Sequence, residues 1–238
     1  AFIWKTRGRQ FDSASGHKMN DLSQTGQSTY LLKYLNYDSG FFIEAGANDG
    51  LKFSNTYLYE IEKGWKGLLI EPNYTQYVEC KKNRLNSIVE NYALVGDKYN
   101  KDFIRGSFDS GPLSLTARVI DFSQETITKN YLKEMFIHLR QRNLVKVKAI
   151  TLNNLLKKHQ ITEIDLLYLD TEEYELPILK GINLEKYRPK YIVVEIFTLK
   201  RKTFDLIREY MEENNYKFLE RIPQTDDYIF CDKYLNNS

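Results

Sequence analysis

The sequence predicts an α/β domain built on a mostly parallel sheet, closed by an antiparallel pair of strands near its C-terminal end. Three observations carry this expectation. Short apolar runs end in an acidic residue or a tight turn, as in Phe41-Phe-Ile-Glu44, Leu68-Leu-Ile-Glu71 and Leu166-Leu-Tyr-Leu-Asp170. Stretches with apolar residues at helical spacing lie between these runs. The connections are short, which suits βαβ units more than separate layers of helices and strands.

Taken in order, residues 1–22 read as a polar N-terminal arm and residues 23–238 as a single domain. Gln27 to Asn36 carries Tyr30, Leu31, Tyr34 and Leu35 at helical spacing, and the strand Phe41 to Glu44 follows. A helix from Asn55 to Lys63 is stopped by Gly64, and a strand from Gly67 to Ile70 ends at Glu71-Pro72. A helix from Thr75 to Arg84 leads to a strand from Ile88 to Tyr92. Residues 96–144 break this rhythm with a charged loop, a Gly/Ser/Pro turn cluster and a long polar helix from Gln124 to Arg142. A stretch this long inserted between sheet strands reads as a cover or an interface. Alternation resumes with a β segment at Val145 to Ile150, a helix at Leu152 to His159 and a buried strand at Ile164 to Leu169. A helix at Glu175 to Gly181, a strand at Tyr191 to Ile196 and a helix at Thr203 to Asn214 come next. The hairpin Tyr216 to Arg221 with Asp227 to Cys231 completes the sheet.

The bulk numbers narrow the function classes. In 238 residues, 42% are hydrophobic and 28% charged, which describes an ordinary globular chain with room for a substantial core. A net charge of +2 gives no field for nucleic acid. The 18 Tyr and 13 Phe are scattered through strands and helices, favouring core packing over a base-stacking platform. No apolar run is long enough for a membrane span. The two cysteines, Cys80 and Cys231, have no metal-type spacing and read as free thiols in a reducing, cytoplasmic compartment. The chain begins at Ala1, which fits either processing or excision from a longer, multidomain polypeptide.

The chemistry gathers at strand tips. In Glu44-x-Gly46-x-Asn48-Asp49-Gly50, small residues let the backbone approach a nucleotide-like cofactor at the carboxyl end of a strand. The spacing departs from the dinucleotide pattern and suits S-adenosylmethionine (SAM), whose ammonium a Glu44 carboxylate can attract. Glu71, about twenty residues further on, can accept from both hydroxyls of a ribose; otherwise it is a charge favoured at a helix start. Ser54-Asn55-Thr56 opens a helix, either as its cap or as an anion site for the cofactor carboxylate. Asp170, Glu172, Glu173 and Glu175 form an acidic cluster after the third apolar run, and Glu195 follows Val193-Val194 at the next tip.

These segments, with Gly64-Trp-Lys-Gly67 and Leu179-Lys-Gly181, resemble the FkbM-type SAM-dependent methyltransferases, and the likeness runs from about Ser23 to Ile196. Ser23-Gln-x-Gly-Gln27 is similar to that family's entry segment. The resemblance implies a Rossmann-like, three-layer class I methyltransferase sheet. It also implies O-methylation of a carbohydrate acceptor, a glycan or glycosylated small molecule. Gln27, Pro72, Ala93 and Asp170 join the residues above as implied cofactor contacts. The chain departs from the family at Glu173, where a Gly follows the motif's Glu172; a bulky anion there alters the acceptor pocket or its metal content.

A sugar hydroxyl is a poor nucleophile, so a base or a metal is expected beside it. Asp170, Glu172 and Glu195 are the catalytic candidates. They are also the candidate ligands for Mg²⁺ or Mn²⁺, which favour hard oxygen donors; the alternative is that they only hydrogen-bond acceptor hydroxyls. His17 and His159 read as solvated, and His138 as a base carried by the inserted helix. Phe108, Ser110, Leu113, Ser114 and Arg118 are the expected acceptor contacts of the cover. Tyr131, Met135 and Leu139 offer a homodimer stripe instead. Rival readings are a non-catalytic interaction module on the same fold and an RNA methyltransferase; the near-neutral charge weighs against the second.

Overall fold

The computed structural model of the chain describes residues 20–107, 118–120, 145–197 and 201–235. Helices α1 (Gln27–Leu35), α2 (Tyr57–Glu62) and α3 (Tyr74–Asn83) alternate with strands β1 (Phe41–Ala45), β2 (Lys66–Ile70) and β3 (Ile88–Glu90). Strands β4 (Ala93–Val95), β5 (Phe103–Ser107), β6 (Arg118–Ile120) and β7 (Val145–Thr151) follow. The order then runs α4 (Leu152–Lys158), β8 (Leu166–Leu169), α5 (Glu175–Lys180), β9 (Tyr191–Glu195), α6 (Arg201–Glu213), β10 (Tyr216–Arg221) and β11 (Asp227–Asp232).

Seven strands form one sheet in the order β10-β11-β9-β8-β1-β2-β3. The pairs from β9 to β3 are parallel. Strand β11 joins β9 antiparallel, with Asp227 opposite Glu195, and β10 pairs antiparallel with β11. The expected mostly parallel sheet with a C-terminal antiparallel pair is therefore present.

Alternation along each strand sends side chains to two cores. Phe42, Leu69, Leu166, Tyr168 and Val193 meet Leu31 and Leu35 of α1, Leu58 and Tyr59 of α2 and Cys80 of α3. Ile43, Ala45, Leu68, Leu167, Leu169 and Val194 meet Leu155 of α4, Ile178 and Leu179 of α5 and Met211 of α6. Helices thus cover both faces, as a buried parallel sheet requires. Side-chain oxygens close two helix starts: Asn73 accepts from the Thr75 and Gln76 amides, and Thr151 from the Asn154 amide. Cys80 and Cys231 are free and buried. Among the described residues no helix is long and apolar enough to cross a membrane.

The structure differs from the sequence expectation around Tyr92. The run read as one strand to Tyr92 breaks after Glu90, where Asn91 Nδ2 donates to the carbonyls of Glu71 (2.8 Å) and Pro72 (3.0 Å). The chain then enters a second sheet, ordered β4-β7-β5-β6, in which β4 pairs parallel with β7 and β5 antiparallel with β7. Strands β5 and β6 lie in the segment 96–144, where no strand is expected; over residues 103–106 Ile104 and Gly106 are buried and Phe103 and Arg105 exposed, too short an alternation to signal a strand. The expected helix at 124–142, the Gly/Ser/Pro turn cluster beyond Ser107 and most of residues 1–22 lie outside the described residues. So do His17, His138, Phe108, Ser110, Leu113, Ser114, Tyr131, Met135 and Leu139, and the Arg118 side chain.

Candidate active site

A cleft of about 690 Å³ opens at the carboxyl ends of β1, β2, β8 and β9, where ligands sit in open α/β sheets. Its volume is in the range of small-molecule sites, about 300–1,000 Å³. Gly46, directly after β1, has φ +90°, and its amide donates to the Ile70 carbonyl at 3.0 Å. A Cβ there would stand 1.9 Å from the Asp170 carbonyl oxygen. Glycine is needed both for the left-handed turn and for the approach of the β8 tip.

Glu44 is buried, 3% exposed, at the tip of β1. Its carboxylate accepts from Ser54 Oγ (3.0 Å), the Asn55 amide (2.7 Å) and Thr56 Oγ1 (2.6 Å). Arg84 Nη1 lies 3.7 Å away. Arg84 is buried and also donates to Glu60, the Gly50 carbonyl, Ser54 Oγ and Thr56 Oγ1. Ser54 Oγ accepts in turn from the Thr56 and Tyr57 amides, which ties it to the first residue of α2. This network fixes the 54–56 stretch against the cleft. One group in it lacks a partner: the buried amide oxygen of Asn55, a residue of the cleft wall. An unsatisfied buried acceptor costs about 1–3 kcal/mol, which an incoming donor relieves.

At the tip of β2, Glu71 is buried and each of its oxygens accepts one backbone amide, Asn48 at 2.9 Å and Asn73 at 2.8 Å. Burial pushes its carboxyl up to about 7, against the opposing pull of those two amides.

The far end of the cleft is acidic. Asp170, Glu172, Glu195 and Asp227 all stand on its wall. The Asp170 and Glu195 carboxyls hydrogen-bond to each other. Withdrawal from water, then the Glu195 charge, raises Asp170 well above the usual carboxylate range; burial also raises Glu195, and its bond to Asp170 opposes this. Two like charges this close do not both ionise readily, so the pair holds a proton between them. Asp227 accepts from the Tyr168 hydroxyl at 2.7 Å and from Gln27 Nε2 at 3.3 Å. Glu172 and Glu173 adopt φ +55° and +81°, the conformation that suits glycine.

Of the sequence-derived candidates, Gln27, Glu44, Gly46, Asn48, Ser54, Asn55, Glu71, Pro72, Ala93, Asp170, Glu172 and Glu195 meet around this one cleft. Three do not line it. The Asp49 carboxylate caps the Leu51 and Lys52 amides instead. Gly50 gives its space to Arg84 and Cys80, whose side chains a Cβ would meet at 2.7 and 2.8 Å. The Thr56 hydroxyl is held between Glu44 and Arg84. Among the described residues no three His, Cys, Asp or Glu side chains gather in an arrangement that holds a metal ion. His159 is not merely solvated: its Nε2 lies 2.6 Å from Glu90. Sequence reasoning missed Arg84, which ends a polar helix and reads as solvated, and Asp227, which reads as the first residue of a hairpin strand.

The methyltransferase FkbM domain profile matches residues 44–218. Among solved structures, the methyltransferase FkbM from Methylobacillus flagellatus aligns with 82% of this chain and 44% of its own, at 14% identity and a TM-score of 0.49. The chain thus spans less than half the length of that relative. A TehB-like SAM-dependent methyltransferase from Corynebacterium glutamicum aligns over 93% and 92% of the two chains, at 12% identity and a TM-score of 0.42. A SAM-dependent methyltransferase from Geobacter sulfurreducens, solved with S-adenosyl-L-homocysteine, aligns over 87% and 70%, at 8% identity and a TM-score of 0.37. No curated protein matches. The assignment rests on the domain profile, which covers most of the sequence, and not on these distant likenesses: the chain belongs to the FkbM methyltransferase family.

Proposed function

We propose that this methyltransferase is a SAM-dependent O-methyltransferase acting on a sugar hydroxyl of a glycan or glycosylated metabolite. The observation that carries the reading is Glu71, a buried carboxylate on the cleft wall with each oxygen aimed by a single backbone amide. Each carboxylate oxygen accepts about two hydrogen bonds, so both retain capacity for the vicinal hydroxyls of a ribose. The unsatisfied amide oxygen of Asn55 suits the methionyl ammonium. The glycine backbone at 46 leaves room for close approach, and Gln27, Asn48, Ser54, Pro72 and Ala93 supply the rest of the wall. When bound, SAM supplies an electrophilic methyl group carried on a sulfonium.

The acidic end of the cleft then orients the acceptor. Alignment of the attacking oxygen is worth about 7–11 kcal/mol of the barrier. The Asp170–Glu195 pair accepts the proton that the acceptor hydroxyl gives up. Glu172 hydrogen-bonds a second hydroxyl of the same ring. Among the described residues these carboxyls do not gather as a metal-binding group, so the reading gives the acceptor to the carboxyls themselves.

Methyl transfer from labelled SAM onto a panel of hexose and deoxyhexose glycans, beside calorimetry with S-adenosylhomocysteine, tests the reading. Transfer onto glycan in the presence of EDTA is expected. Loss in EDTA with recovery in Mn²⁺ returns Asp170, Glu172 and Glu195 to the role of ligands. Absence of any S-adenosylhomocysteine binding sinks the reading.

A further inference from the structure

One buried carboxylate beside the cleft has no part in the chemistry above. Glu175, at the start of α5, is 2% exposed. Its Oε1 accepts from the Thr171 amide (3.0 Å), the Thr171 hydroxyl (3.0 Å) and the Glu173 amide (3.1 Å). A glutamate in a first helical turn is favoured by the helix dipole alone. These three bonds, however, reach back out of the helix into the turn before it. They flank Glu172 and hold the amide of Glu173, two consecutive residues with φ in the left-handed region. A Cβ-bearing residue stays there only where its surroundings over-determine it.

We propose that Glu175 is a positioning residue: its carboxylate holds the 171–173 turn in the left-handed form that sets Glu172 on the cleft wall for acceptor recognition. The role in recognition rests on the O-methyltransferase reading. Without these acceptors the turn relaxes to negative φ and carries Glu172 away from the acceptor. Asp170 is anchored separately, since its amide donates to the Ala45 carbonyl at 3.1 Å. The defect is therefore confined to the acceptor end, and donor-side binding survives. A residue that served only global stability would weaken both ends together.

The test compares Glu175→Leu, which fills the buried space without an acceptor, with Glu175→Gln, which keeps an oxygen at the same reach. Three readouts are taken: amide hydrogen exchange across residues 170–175, calorimetric affinity for S-adenosylhomocysteine, and labelled methyl transfer onto the glycan panel. In E175L, exchange at 171–173 is expected to rise by about tenfold or more, the signature of local opening. Its S-adenosylhomocysteine affinity stays within about threefold of the wild type, while turnover falls by about tenfold or more. E175Q keeps slow exchange and most of the turnover. Adding Glu173→Gly to E175L recovers part of the lost turnover, because glycine takes the +81° conformation without help.

Unchanged exchange in E175L, equal damage in E175Q and E175L, or no recovery in the double variant each overturns the proposal. If E175L does not fold, the double variant is expected to fold, and its failure also overturns it. Wild-type protein that binds no S-adenosylhomocysteine defeats the methyltransferase reading instead, and the exchange data still decide whether Glu175 holds the turn.

Discussion

Arg84 Nε donates to Glu60 Oε2 at 2.8 Å with both side chains withdrawn from water, 0% and 2% exposed. The same guanidinium reaches the Gly50 carbonyl, Ser54 and Thr56, and so ties the loop after β1 to the start of α2. Replacing Arg84 with Met leaves Glu60 and Glu44 buried without their cation. Breaking such a pair by removing one partner costs about 3–5 kcal/mol. Urea unfolding of Arg84→Met is expected to show that loss, and S-adenosylhomocysteine affinity falls with it because the 54–56 stretch comes loose. A variant as stable as the wild type contradicts the network's role.

Glu71 links the donor site to pH. Its carboxyl is raised by burial from an ordinary value near 4.5 to about 7. The folded state then holds a proton that the unfolded state has released, so this group's contribution to stability is complete below about pH 4.5 and is lost as pH rises toward 7. The shift corresponds to roughly 3 kcal/mol. Glu71→Gln is expected to flatten the decline in stability of the ligand-free protein between those pH values. Ribose hydroxyls donate best to the ionised carboxylate, so S-adenosylhomocysteine affinity rises with pH up to about 7 and then levels off. In E71Q that slope disappears, and affinity falls by roughly 10- to 150-fold, the worth of a hydrogen bond to a charged group. A wild-type affinity indifferent to pH between 5 and 8 contradicts the assignment.

Gly46→Ala forces a Cβ into the Asp170 carbonyl at a backbone angle of +90°. Overpacking and left-handed strain act together here, for a loss on the order of 3 kcal/mol or more. Thermal unfolding reads the loss directly. Displacement of Asp170 is expected to remove methyl transfer even where the protein remains folded.

Glu173→Gly has the opposite sign. Relief of the +81° conformation is worth about 1–3 kcal/mol, set against about 0.5–1 kcal/mol for glycine's greater freedom in the unfolded chain. A net stabilisation of about 1 kcal/mol is expected from denaturant curves. A destabilised variant means that contacts of the Glu173 side chain outweigh its backbone strain.

Much of this arrangement is legible in the sequence because each strand announces its own end. Glu44, Glu71, Asp170 and Glu195 each follow a run of apolar residues, and a parallel sheet carries such tips to one edge. Of the second sheet only β7 is legible, as the β segment from Val145; β5 alternates over too few positions within a charged stretch. Arg84 has no local signal either: an arginine at the end of a polar helix reads as solvent-facing, and only the tertiary fold folds it inward. The glycine-like geometry at Glu173 is the reverse case. The resemblance stated from the sequence implies a glycine at that position, and the backbone there has the left-handed shape that suits one.

The hydrogen bond between Gln27 and Asp227 spans 200 positions of sequence. Both residues stand on the cleft wall, one brought by the first helix and the other by the last strand. A nascent chain can therefore assemble β1, β2 and their helices on the ribosome while the catalytic chamber still lacks a side. Contacts of such high sequence separation form late and slowly, so the acidic end of the cleft is closed only once synthesis has passed Asp227.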